Sequence, residues 1–320
     1  MTVHAYREAE PGPRWRALYD ATWPAYRGWY TRDGLAARPS LHECRRALTR
    51  YMPELVPTWE RLCRLSGDDA VAAQMLSMWR LPAFAVGCSQ MVMPGEHPNL
   101  VRNYDYDQTL FEAVIASTDY SGRRRVLGTS DMLWGLLDGM NEDGLAVSLT
   151  FGGRPDVGEG FGIPIVLRYV LETCATVPQA ISALRRIPVS QSYNVALVDG
   201  AGDHATVFVT PGEPAEVSAL HATTNHRLDQ VEHPSHAARF NSVGRQSKLD
   251  ELRTGATSPG QLVAAMLAPP IRNDQFEAGF GTLYTAEYQP AAGTATWHWP
   301  ETSWTRGFDD PDDVREVRLA

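Results

Sequence analysis

Three hairpin-shaped stretches, each an apolar, β-prone run folded about a polar turn, limit most what this chain can become. "MLWGLLDGMNEDGLAVSLTF" turns at Asn141–Gly144, "SYNVALVDGAGDHATVFVT" at Gly200–Asp203, and "GTLYTAEYQPAAGTATWHWP" at Pro290–Gly293. Runs this close in sequence pair as antiparallel neighbours. "FAVGCSQMVM" and "LVRNYDYD" read as a further strand pair across a Pro-Gly turn, and "AEVSALHATTNH" as a strand ending at Asn225. Between them lie helical patterns: "IPIVLRYVLETCA", "VPQAISALRRI" with Thr176 and Pro178 as start signals, "SHAARFNSVGRQSKLDELR" and "SPGQLVAAMLA". Hairpins separated by helix pairs imply an α+β fold of antiparallel sheets covered by helices.

Before Leu81 the pattern is helical. "PRWRALYDATWPAYRGWYTR" has apolar residues at helical spacing, interrupted by Pro24. "SLHECRRALTRYMPELVPTWERLCRLSG" starts at Ser40 with Glu43 in capping-box position, and "DDAVAAQMLSMWR" carries acids in its first turn. The tryptophans of this segment (Trp15, Trp23, Trp29) are expected to pack on the sheet layer.

Composition removes several functional classes. The chain has 320 residues, 43% of them hydrophobic, enough for one sizeable core. A net charge of -9, with only short basic clusters at Arg123–Arg125 and Arg185–Arg186, argues against nucleic-acid binding. No apolar run is long enough to span a bilayer, and the first twenty residues lack the apolar region of a signal peptide. A cytoplasmic location with reduced thiols is therefore expected. Cys44, Cys63, Cys88 and Cys174 are widely spaced with no C-x-x-C pair, so neither a metal site nor a cofactor is expected. "GEGFG" (158–162) lacks the G-K-[ST] ending of a phosphate loop and reads as a mobile loop near a substrate entrance.

Cys44, Cys63 and Cys174 fall on helical ground and read as packing residues. Cys88 has two readings, buried filler or nucleophile. Its company favours the second. The strand that pairs with it carries Arg102 and Asp105, and a neighbouring arginine favours the reactive thiolate. Two charges in an apolar strand pair are costly unless used or paired, which leaves a plain salt bridge as the alternative. A histidine base would have to come from His221, His226, His233 or His236, which form no tidy motif. Cleavage of the Gly87–Cys88 bond offers another base. Cys88 would gain an α-amino group with an ordinary pKa of about 7.7–8.0, suited to proton transfer near neutrality. Gly87 has no side chain to hinder attack on its own carbonyl.

"VGCSQ", "VRNYDYD", "DGMNEDGLAVSLTFGG", "ATTNHR", "NSVGRQSKLDEL" and "GTLYTAEYQP", in this order, resemble the acyl-coenzyme A:6-aminopenicillanate acyltransferase (C45) family of N-terminal nucleophile hydrolases, relatives of the choloylglycine hydrolases. The resemblance runs from about Phe84 to Pro300. It implies an αββα four-layer sandwich and autoproteolysis at Gly87–Cys88. Residues 1–87 would form an α fragment or propeptide and residues 88–320 the catalytic β fragment, held together as one structural domain. It implies Cys88 as nucleophile, Arg102 and Asp105 beside it with Asp105 holding the α-amino group, and Asn225 as oxyanion donor. Arg245 matches the family's helical arginine, with Arg239 competing for the place. Choloylglycine hydrolases carry an asparagine where this chain has Thr150, so the second oxyanion donor falls to a backbone N–H near Thr150 or Phe151. The implied reaction is attack on a linear amide of a small specialised metabolite through a Cys88 thioester. The alternatives are acyl transfer from a thioester donor (coenzyme A or a carrier protein) to an amine, an unprocessed thiol hydrolase, and a catalytically silent binding protein.

Overall fold

The computed structural model describes residues 1–84, 87–227, 234, 240–255 and 258–319. Their strands form two sheets. Nine strands make the larger: β1 (Thr2–Glu8), β4 (Val114–Thr118), β5 (Val126–Asp131), β6 (Gly135–Asn141), β7 (Leu145–Phe151), β8 (Tyr193–Asp199), β9 (His204–Val209), β10 (Glu216–Ser218) and β15 (Asp313–Glu316). Their order is β10-β9-β8-β7-β6-β5-β4-β1-β15. The smaller holds β2 (Gly87–Met93), β3 (Asn99–Tyr106), β11 (Ala222–Thr223), β12 (Gly281–Gln289), β13 (Thr294–Trp299) and β14 (Thr302–Gly307), in the order β11-β2-β3-β12-β13-β14. The four expected strand pairs, β2–β3, β6–β7, β8–β9 and β12–β13, are all antiparallel neighbours.

The layering follows from burial. Every residue of β5, β6, β7 and β8 is buried, so those strands are covered on both faces. On the outside, α5 (Ile163–Thr173) packs on β6 and β7, and α6 (Val177–Arg186) on β8 and β9. On the inside, β2 and β3 pack against β7 and β8. Beyond the smaller sheet, α7 (Ser242–Thr254) covers β11 and β2, and α8 (Pro259–Met266) covers β3 and β12. The result is the α+β, αββα sandwich implied by the sequence.

Five observations differ from expectation, the last being a strand divided between the sheets. The first residues are a strand, not a helix: β1 pairs parallel with β4 and antiparallel with β15, the one parallel step in the larger sheet. Its alternating burial, with Val3 and Ala5 inside, is the two-residue period of a strand. The helix α1 (Pro13–Tyr30) runs on through Pro24. The second helical stretch divides at Met52-Pro53 into α2 (Leu41–Tyr51), which has the expected Ser40–Glu43 capping box, and α3 (Val56–Leu65). A residue before proline is driven out of the helical region, and Met52 has ψ 57°. The fourth helix, α4 (Ala70–Leu76), is capped by Asp69. The "GEGFG" stretch is packed rather than an entrance loop. Phe161 bridges Trp79 and Val189, and Gly160, Phe161 and Gly162 are buried. The first part of the expected "SHAARF…" helix lies outside the described residues; α7 is its second part.

The stretch read as one strand, "AEVSALHATTNH", divides between the sheets. β10 ends the larger sheet, and β11 pairs with β2 in the smaller. This crossing carries Asn225 to the start of β2.

Candidate active site

Antiparallel pairing sorts the side chains of β2 and β3 onto two faces. Cys88 lies opposite Tyr104, and Gln90 opposite Arg102; these four face the larger sheet. Gly87 lies opposite Asp105, and Ser89 opposite Asn103; these face the helices α7 and α8. The sequence placed Arg102 and Asp105 together beside Cys88. The structure sets them on opposite sides of the strand pair.

On the inner face, Arg102 Nη2 donates to Cys88 Sγ at 3.0 Å. Both residues are wholly buried. Burial pushes the Cys88 thiol up to about 11, and the Arg102 charge counteracts it. Arg102 is itself held by Nη1, which donates to Leu137 O at 2.9 Å and to Asp138 Oδ2 at 2.5 Å. Asp138 also accepts from Thr129 Oγ1 at 2.8 Å, Tyr284 OH at 2.5 Å and Tyr288 OH. A buried carboxyl group with this many partners is fixed in position, and Arg102 with it. Asp138 was not singled out in the sequence. Its signal there is an acid inside "LLDGM", a stretch otherwise apolar on a strand buried on both faces.

On the outer face, Arg245 of α7 gathers the main chain of the same residue. Its Nη1 donates to Cys88 O at 2.8 Å, Ser89 Oγ at 2.7 Å and Asp105 Oδ2 at 3.2 Å; Nη2 donates to Asn225 Oδ1 at 2.7 Å. Burial pushes the Asp105 carboxyl up, and Arg245 and Thr282 offset this. Thr282 reaches Asp105 Oδ1 at 2.7 Å because β12 slips register between Thr282 and Tyr284. That bulge turns Thr282 outward while Tyr284 stays inward. Asn225 Oδ1 also accepts the Cys88 N–H at 2.9 Å. With Oδ1 fixed by two donors, the amide's NH2 is turned away from them. Arg245 thus serves the peptide around Cys88, and Arg239 lies outside the described residues.

Gly87 is required by space. A Cβ there would meet Phe280 Cζ at 2.4 Å and Asp105 Cβ at 3.0 Å.

Thr150 and Phe151 lie at the end of β7, where β6 has already stopped pairing after Ser148. Gly152 N bonds Ser192 O across to β8. Alternation then commits the Thr150 N–H to the β8 ladder and turns the Phe151 N–H to the opposite side of the strand. The Thr150 side chain donates to Thr224 O at 2.8 Å. Asn194 on β8 donates to Thr150 Oγ1, Thr224 O and His226 O. Thr150 and Asn194 together pin the segment that carries Asn225.

Among the described residues no histidine hydrogen-bonds Cys88 Sγ. His226 Nδ1 sits 3.2 Å from Thr224 Oγ1, and the His221 ring lies tilted against His204. His233 and His236 lie outside the described residues. Cys44 and Cys174 are buried and Cys63 is half-buried; burial raises all three thiols.

A cavity of about 250 Å³ borders the inner face. Tyr104, opposite Cys88, forms part of its wall, with Tyr26 and Trp29 of α1, Phe84, Tyr106 and Phe111. Phe84 packs near Trp29 and Tyr193, and Gln191 holds both its N–H and its carbonyl. Trp29 thus belongs to the cavity as well as to packing.

The family model described as acyl-coenzyme A:6-aminopenicillanic acid acyl-transferase matches residues 92–304. The chain belongs to this family. It is therefore an enzyme of the class that transfers or hydrolyses acyl groups held as amides. The family match begins just after Cys88, so the surroundings of that residue rest on the geometry above. No curated protein sequence matches the chain. A solved structure of a mutant conjugated bile acid hydrolase from Clostridium perfringens shares the fold, with a TM-score of 0.50 at 13% identity, covering 72% of this chain and 97% of that one. The N-acylethanolamine-hydrolyzing acid amidase ortholog from Caenorhabditis elegans has a TM-score of 0.47 at 16% identity, covering 64% and 93%. Penicillin V acylase from Agrobacterium tumefaciens has 0.44 at 16%, covering 68% and 84%. Among the described residues no helix is long and apolar enough to cross a membrane.

Proposed function

We propose that this family member is a self-processing cysteine amidohydrolase whose nucleophile is Cys88. In maturation the thiol attacks the Gly87 carbonyl and the acyl group passes from nitrogen to sulfur. Water then hydrolyses the thioester, leaving a Gly87 carboxylate and a Cys88 α-amine. In turnover the thiol gives its proton to that amine and attacks a linear amide of a small molecule. The Asn225 amide and a backbone N–H near Thr150 or Phe151 stabilise the oxyanion. The leaving amine takes the proton back from the α-ammonium, and water resolves the thioester.

One observation carries this reading. The thiol has Arg102 3.0 Å away, its own nitrogen is held by Asn225 at 2.9 Å, and no described histidine bonds to sulfur. The base is then the residue's own nitrogen once freed. Arg102 positions the thiol and favours its charged form; Asp105, Arg245 and Asn225 position the new amino terminus. The fragments 1–87 and 88–320 would stay associated after cleavage, because β1 remains hydrogen-bonded between β4 and β15.

Intact mass of the purified protein tests the proposal. Two fragments dividing at Gly87–Cys88 are expected, and a single 35.4 kDa chain for Cys88→Ala. Wild-type protein that stays one chain yet cleaves amides would overturn it, as would turnover by Cys88→Ala. The family's name favours a second outcome for the same thioester, resolution by an amine. Adding an acceptor amine and measuring transferred product separates the two.

A further inference from the structure

The cavity walled by Tyr104, the cross-strand neighbour of Cys88, has an acidic side that the reaction above does not use. Glu112 and Asp131 both line it, within the same aromatic enclosure as Phe84. Glu112 is built in: Oε1 accepts from Tyr26 OH at 2.6 Å and Leu133 N at 2.7 Å, and Oε2 from Ser130 Oγ at 3.1 Å. Asp131 is different. It is 8% exposed, and the two donors that reach it, the Met132 N–H and the Tyr26 hydroxyl, are shared with the Tyr26 oxygen and with Glu112. Among the described residues neither carboxylate has an ion-pair partner within 4 Å. Arg102 acts on Asp131 only at a distance and is tied to Asp138.

A buried acid without a cation, facing a cavity, is a large unmet cost. Burial pushes both carboxyls up, Asp131 well above the usual range with the Glu112 charge adding to it. A positively charged group in the cavity would offset the cost of their burial. Aromatic faces around the same space add a cation–π contribution and exclude water, which strengthens the pairing.

We infer that this cavity is the specificity pocket of the proposed amidohydrolase and takes a protonated amine, held by Asp131 and Glu112 among the rings of Tyr26, Trp29 and Phe111. This rests on the proposed chemistry at Cys88 for its place in catalysis. The substrate class is then a small amide bearing an alkylammonium, carried on either its acyl half or its amine half.

Binding can be read apart from turnover, because Trp29 lines the cavity and its fluorescence reports occupancy. Processed protein is titrated with 2-phenylethylammonium and with neutral 2-phenylethanol. The ammonium should bind roughly tenfold or more tightly, and Asp131→Asn should bring the two affinities together. Glu112→Gln serves as a second variant if Asp131→Asn fails to fold. Equal or tighter binding of the alcohol overturns the inference, as does the absence of saturable ammonium binding. Titration with 4-aminobutanoyl anilide and with N-(4-aminobutyl)acetamide identifies the half that carries the charge: the tighter ligand names it. A failure of the Cys88 proposal looks different, since the chain then keeps one mass whatever the titration shows.

Discussion

The two faces of the β2–β3 pair treat the same cysteine in different ways. Inward, Cys88 presents a thiol to one cation, Arg102, which is braced from the opposite sheet by Asp138. Outward, its main chain is held by a network from a helix and a loop, with Arg245 touching Cys88 O, Ser89, Asp105 and Asn225. The inner face has an aromatic cavity beside it and the outer face is filled by α7 and α8. Reactivity and positioning are thus separated by the pleat of one strand. A single-residue slip in register would exchange them.

Variants on each face should break this division in order of size. Cys88→Ala should abolish both self-cleavage and amide turnover while leaving the fold, as judged by intact mass, activity and an unchanged unfolding midpoint to within about 1 kcal/mol. Arg245→Met should be the most destabilising change on the outer face. It leaves Asp105 buried without its cation, costing about 3–5 kcal/mol in denaturant unfolding, and it should stop processing. Arg102→Leu should leave processing slower and move the pH at which Cys88 is alkylated upward, since the removed charge is what lowers the thiol's pKa. If that pH does not move, the guanidinium does not act on sulfur. Gly87→Ala should slow cleavage through its clash with Phe280, and Phe280→Leu should restore part of the rate in the double variant. Thr150→Val, which removes the bond to Thr224 O and the bond from Asn194 Nδ2, should cost only about 1–2 kcal/mol and a modest share of turnover.

Much of the fold was legible. The hairpins at Asn141–Gly144, Gly200–Asp203 and Pro290–Gly293 were readable because turn residues and apolar runs are local signals. β1 was missed because seven residues with mixed polarity say little until a sheet edge receives them. The division of "AEVSALHATTNH" between two sheets was also hidden, since nothing local distinguishes one long strand from two short ones. At the site, Cys88, Arg102, Asp105, Asn225 and Arg245 were named from motifs and meet within one small volume. Asp138, Asn194 and Thr282 were not, because each reaches the site across a sheet or through a bulge. Glu112 and Asp131 likewise sit far from Cys88 in sequence; the β4–β5 pairing brings them together, and Tyr26 of α1 reaches them from the other side.

Sequence alone determined the alternation of strands and helices, the glycine before Cys88, and the family order of the motifs. These depend on neighbours within a few residues or on the order of segments along the chain. Tertiary structure decided which charge faces the thiol, which one holds the peptide, and where an uncompensated acid was left. Those outcomes depend on strand register, on sheet-to-sheet contact and on burial, and burial sets the cost of every charge.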